Sequence, residues 1–299
     1  MSSKKIKLIV ILGPTASGKS DLAVELAQKF NGEIVSADSR QVYHDMDIGT
    51  GKITKKEMRE IPHCLLNVAS PKQRFTVARY KKLALAAIKK IQRQEKLPIL
   101  CGGTGFYIQA VTENITIPDV KPNWQLRKRL EKKSAAELFT MLKKLDPHRA
   151  KNIDRENPRR LIRAIEIVKA TGRPVPELKF SRPFDVLILG VKKSPAELKK
   201  LIATRLKKRL GQGLVAEVKK LKNGGLSWKK LDAFGLEYRW TAKYLQRKIG
   251  YADMTVCLQK DIGHYAKRQM IWFKKYAPQT HWVKNKKEAA RLLRQFLRS

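Results

Sequence analysis

Acidic residues are scarce in this chain of 299: 26 Asp and Glu stand against 65 Lys and Arg, a formal charge of +39. So lopsided a balance points to a polyanionic partner, nucleic acid first, with solubility as its plainer use. Cysteine is scarcer still. Cys64, Cys101 and Cys257 lie far apart with no Cys-x-x-Cys pair. That excludes a disulfide framework and a cysteine-built zinc site, and fits a reducing cytoplasm. Long apolar runs are missing too: nothing approaches the roughly 18–20 residues that cross a bilayer. The run 8–12 behind Lys4 and Lys5 leads straight into a glycine-rich motif, so it reads as a buried first strand and not as a signal peptide. Hydrophobic residues still make up 42%, enough to bury a core and to exclude wholesale disorder.

These apolar residues fall into alternating patterns. Residues 6–12, 33–37, 97–101 and 185–191 read as short buried strands, and 21–30 and 76–94 as helices with one apolar face. Alternation of this kind predicts a three-layer α/β/α core with a parallel sheet. From about 121 to 180 the strands stop, and helical patterns cover 124–133, 135–145 and 158–170. Pro118, Pro122, Pro174, Pro176 and Pro183 gather at the two ends, as at a domain border. The expected organisation is a discontinuous core, 1–120 and 181–299, with a helical insertion at 121–180. A last small strand is expected at 281–283.

Gly13-Pro14-Thr15-Ala16-Ser17-Gly18-Lys19-Ser20 matches G-x-x-x-x-G-K-[ST] between a predicted strand and a predicted helix, the context that confirms a phosphate loop. Gly13 and Gly18 let the backbone curl so that its N–H groups face phosphate oxygens. The helix start adds its positive end, Lys19 adds a point charge, and Ser20 can ligate Mg²⁺. The motif announces a polyphosphate and leaves open which one, ATP included. The third strand ends Cys101-Gly102-Gly103-Thr104 without the metal-binding Asp that ATP hydrolysis uses. The nearby carboxylate is Asp38, in Ser36-Ala37-Asp38-Ser39-Arg40-Gln41 at the end of the second strand. Strand ends of a parallel sheet face the ligand crevice, so Asp38 can be a base. A helix cap or a place around Mg²⁺ are its alternatives. A nucleoside or small-molecule kinase, or a non-catalytic RNA-binding protein, would carry the same loop.

Across seven stretches, 13–20, 36–52, 62–68, 102–107, 146–166, 171–174 and 266–274, the chain resembles the tRNA dimethylallyltransferase (isopentenyltransferase) family. The resemblance runs from end to end. It implies transfer of a dimethylallyl group from dimethylallyl pyrophosphate to N6 of the adenosine 3′ of the anticodon, with Mg²⁺ as cofactor. The phosphate loop then holds a leaving group, not an ATP to be hydrolysed. By the same resemblance Asp38 accepts or aligns the amine proton and Thr104 bonds the oxygen that bridges allyl carbon and pyrophosphate. Contacts to tRNA are implied at Asp38, Ser39, Arg40, Gln41, Thr104, Arg127, Arg159, Arg160, Leu161, Ile162, Arg163 and Arg239, the insertion holding the anticodon stem-loop. The chain departs from the family pattern at Asn67, where Asp is usual, and at Leu236-Glu237-Tyr238-Arg239-Trp240, where Gly-Tyr-Arg-Gln is usual. A cytoplasmic monomer without membrane attachment is expected. Trp272, Phe273 and Tyr276 read as core rather than as a base-stacking platform.

Overall fold

A computed structural model describes residues 5–177 and 179–299. Among them β1 (Ile6–Leu12), β2 (Gly32–Ser36), β3 (His63–Cys64), β4 (Leu97–Gly102), β5 (Phe184–Val191) and β6 (His281–Val283) form one parallel sheet. The strand order is β3-β2-β4-β1-β5-β6. The central strand explains its own sequence. Leu8, Val10 and Leu12 enter the core on one face, Ile9 and Ile11 the core on the other. With helices on both faces, a side-chain period of two leaves no position for a polar residue from Leu8 to Leu12; Lys7, at the start of the strand, donates to the Phe296 carbonyl.

One face is covered by helix Val77–Arg93, which buries Tyr80, Ala84, Ile88 and Ile91, and by the long helix Tyr251–Tyr276, which buries Met254, Leu258, Ile262, Ala266, Gln269 and Phe273. The other face takes Lys19–Lys29 and the C-terminal helix Lys286–Arg298. The layers are those expected. Helix Gly105–Thr112 and the two-residue β3 carry no period long enough to reveal them in advance. The helix expected at 124–133 ends at Leu130, because Ser134 starts the next one. Ser134 Oγ accepts from Glu137 N–H while the Glu137 carboxylate accepts from Ser134 N–H, a capping box.

Two compact units result. The first comprises the chain up to Asn114 and Ser181–Ser299; the second is Ile115–Phe180. The insertion therefore starts at Ile115 and not at 121. Its root is closed by Thr116 N–H donating to the Lys179 carbonyl. Inside it, Leu126, Leu130, Leu138, Leu142, Leu161 and Ile165 form a separate core. Among the described residues no helix is long and apolar enough to cross a membrane.

Candidate active site

Ligands of open parallel sheets bind at the carboxyl ends of the strands, and three of those ends meet here. After β1 the chain curls through Ala16 (φ 62°) and Gly18 (φ 88°). A Cβ on Gly13 would lie 2.5 Å from the Val191 carbonyl oxygen, so the loop reaches this depth only with glycine. Lys19 Nζ rests on the Pro14 carbonyl at 3.2 Å. Burial lowers the Lys19 pKa; Cys101 and Asp38 oppose the shift and Arg205 and Arg209 assist it. Lys19 thus feels the charge of two arginines outside the loop, and a polyphosphate would relieve that repulsion. Beside the loop lies a cleft of about 580 Å³ whose lining includes Lys19, Ser20, Lys192, Arg205, Lys208 and Lys286.

Ser20 stands at the open end of helix Lys19–Lys29. Among the described residues no group of three His, Cys, Asp or Glu could hold a metal unaided. The Ser20 hydroxyl is the side-chain oxygen that could serve a magnesium ion carried mainly by phosphate oxygens and waters.

After β2, Asp38 closes an Asx turn: Oδ1 accepts from Arg40 N–H at 2.8 Å and from Gln41 N–H at 3.3 Å. Those are its hydrogen bonds among the described residues, and Oδ2 is left open. After β4, Thr104 comes to the same place. Its N–H donates to the Ala37 carbonyl at 3.0 Å, and its Oγ1 accepts from Ser39 N–H at 3.0 Å. With a lone pair engaged, the hydroxyl proton remains free to donate. Thr104 precedes helix Gly105–Thr112 but makes no side-chain cap bond to it. The two strand ends approach so closely that a Cβ on Gly102 would collide with the Ala37 carbonyl.

The neighbours of Asp38 hold loops. Arg40 Nε donates to the Phe234 carbonyl at 3.0 Å and lies over that ring; Gln41 Nε2 reaches the Gly51 carbonyl at 3.3 Å. Farther along, the Glu217 carboxylate accepts from the N–H groups of Asp47, Ile48 and Gly49 and from the Tyr238 hydroxyl, at 2.7–3.0 Å. Gly49 is bare because a Cβ there would sit 2.7 Å from the Tyr238 ring. Lys52 joins Tyr43, Asp47 and Asn67, so Asn67 supplies an acceptor where the usual Asp would. In the altered segment Tyr238 turns inward and is buried, whereas Arg239 is half-exposed, 3.2 Å from Asp232. Buried Glu237 pairs with Arg209 at 2.5 Å. Burial raises the Glu237 pKa and the Arg209 charge opposes that rise.

Within the insertion, the arginines divide. Arg127 meets Glu166 with two bonds, 2.7 and 2.5 Å, and Arg163 adds a third at 2.6 Å. Burial works against the Glu166 charge, yet these bonds hold its carboxyl down at about 2. Arg127 and Arg163 thereby tie the unit together. Arg159 and Arg160 are exposed. Leu161 and Ile162 face the unit's core, being the inward stripe of helix Pro158–Thr171, so their side chains are not presented to a ligand. Phe273 is core as expected; Trp272 and Tyr276 are half-buried and packed on each other, rings 4.9 Å apart.

Sequence reasoning missed Arg205, Arg209, Glu217, Glu237 and Gln269. Only Gln269 carries a local signal: it is the polar exception on the buried stripe Met254, Leu258, Ile262, Ala266, Phe273.

A glycine-bent loop after the central strand, flanked by an open carboxylate oxygen and a free hydroxyl proton, is the arrangement of a group-transfer enzyme. The family model described as IPP transferase matches residues 41–276. The tRNA dimethylallyltransferase of Pelotomaculum thermopropionicum is 38% identical, covering 94% of this chain and 92% of its own. The tRNA dimethylallyltransferase 1 of Syntrophus aciditrophicus is 42% identical over 90% and 89%. The tRNA isopentenylpyrophosphate transferase structure from Bacillus halodurans superimposes with a TM-score of 0.76 at 34% identity, over 98% of this chain and 97% of that one. A eukaryotic dimethylallyltransferase acting on tRNA gives 0.78 at 30% identity, over 90% and 70%. The chain belongs to the IPP transferase family, the tRNA dimethylallyltransferases. These likenesses favour transfer over the kinase alternative.

Proposed function

We propose that the chain transfers the dimethylallyl group of dimethylallyl pyrophosphate to N6 of the adenosine 3′ of the anticodon in tRNA. One observation carries the reading: the bond from Ser39 N–H to Thr104 Oγ1 sets the hydroxyl beside the Asp38 turn, one residue after Gly103, where a Cβ would lie 3.7 Å from the Lys19 side chain. In the step, N6 bonds to the allylic carbon as that carbon's bond to the pyrophosphate oxygen breaks. The bonding pair leaves with pyrophosphate, and the N6 proton passes to Asp38 Oδ2. Thr104 keeps its proton and donates a hydrogen bond through it to the bridging oxygen as charge builds there. Lys19, Ser20 and the loop N–H groups hold the charged leaving group. Ser20 would hold a Mg²⁺ ion, which when bound would supply further charge neutralisation.

An exocyclic amine inside a stacked loop is out of reach, so the base must leave its stack to enter the crevice. Exposed Arg159 and Arg160 supply backbone charge for the RNA, and half-exposed Arg239 is a further contact. The test is direct. The protein is incubated with dimethylallyl pyrophosphate and unmodified tRNA, and pyrophosphate release and the mass of adenosine are followed. Equimolar pyrophosphate and dimethylallyl adenosine support the reading. ATP turnover without either product refutes it.

A further inference from the structure

Gln269 sits on the long helix Tyr251–Tyr276 and is only 6% exposed. Its side-chain Oε1 accepts from Thr15 N–H of the phosphate loop at 2.9 Å. Its Nε2 donates to the Gly103 carbonyl, one residue before Thr104, at 2.8 Å. One planar amide thus spans two loops that follow different strands. We propose that Gln269 is a positioning residue: it locks the leaving-group cradle to the Thr104 loop, so that the broken bond's oxygen and the donor hydroxyl keep one separation through transfer. The proposal rests on the transferase reading above.

The local geometry is built around this span. A Cβ on Gly103 would collide with Gln269 Nε2, and a Cβ on Gly105 would collide with the Trp272 ring, one turn farther along the same helix. The helix therefore addresses the Thr104 loop on both sides of Thr104. Core packing does not call for an amide here, since the flanking stripe is apolar and Ala266 and Phe273 fill it. What an amide alone supplies is a donor at one end and an acceptor at the other. A carboxylate would turn a lone pair on the Gly103 carbonyl; a thioether would engage neither loop. Displacements of about 1 Å around reacting atoms cost on the order of 10²-fold in rate.

The experiment compares wild type, Gln269→Glu and Gln269→Met. Single-turnover transfer is measured at saturating substrates across pH, alongside tRNA binding and amide exchange of the phosphate loop. At about pH 8 both variants should lose roughly 10- to 100-fold in rate with tRNA affinity unchanged. As pH falls, the Glu side chain gains a proton and becomes an isostere of the amide. Its rate relative to wild type should then rise by at least about threefold towards about pH 6, while that of Met stays flat. Thr15 exchange should quicken by about tenfold or more in Met. A Met variant within about threefold of wild type, a flat Glu-to-wild-type ratio or unchanged Thr15 exchange overturns the proposal. If wild type itself fails to transfer, the transferase reading falls, and loop exchange still decides the clamp.

Discussion

Replacing Thr104 with Val removes one hydroxyl and keeps the branched shape. In the ground state that hydroxyl accepts a single bond, from Ser39 N–H at 3.0 Å, and does not cap the helix that follows it. No helix-cap loss therefore applies. What remains is one neutral hydrogen bond and an N–H left unpaired in a half-buried loop, together about 1–2 kcal/mol. A domain stable by about 5–15 kcal/mol tolerates this. The rate should respond far more. If the hydroxyl proton meets the bridging oxygen only as that bond breaks, its loss costs about 10²–10³ in kcat, as for other oxyanion donors. Thr104→Ser, which keeps the oxygen, should remain within about tenfold of wild type. Thermal melts and single-turnover transfer with dimethylallyl pyrophosphate and an anticodon stem-loop measure both effects on the same samples. A Val variant that loses less than about fivefold, or whose loss appears in KM alone, refutes the donor role.

Other expectations follow from the same geometry. Asp38→Asn keeps an oxygen for the Arg40 and Gln41 N–H groups but offers no base. Transfer should drop by about 10²–10⁴, with tRNA affinity by filter binding changed only a few-fold. Glu166 is held at about 2 in the folded insertion against an ordinary 4.5. Its depressed pKa adds stability that is complete above 4.5 and fades as pH falls towards 2. Glu166→Ala should therefore destabilise the protein at neutral pH, by about 3 kcal/mol because both arginines keep some solvent, and should shrink the acid sensitivity seen by circular dichroism. Replacing Arg159 and Arg160 together with Ala should flatten the log–log salt dependence of tRNA binding by about one to two units. Turnover at saturating tRNA should stay close to wild type, and an unchanged slope would return both side chains to an ordinary solvated helix face.

Much of this protein is written locally. An unbroken apolar run at 8–12 demands a strand covered on both faces, because a period of two sends neighbouring residues into different cores. The phosphate loop is equally local: its glycines and Lys19 act through the backbone of eight consecutive residues. Asp38 and Thr104 could be placed at strand ends for the same reason. Their partners could not. The amide of Gln269 lies 254 residues from Thr15 and 166 from Gly103. Glu217 meets the 47–49 turn across about the same span, 168–170 residues. No period or motif encodes such distances. Arg127 and Arg163 read in sequence like any basic helix face, until the packing of helix Pro158–Thr171 buries Glu166 and draws both guanidinium groups onto it. Local spacing sets which residues share a face. Which faces then meet is chosen by the burial of the assembled core, and it is that choice that separates exposed arginines from structural ones and brings one glutamine between two loops.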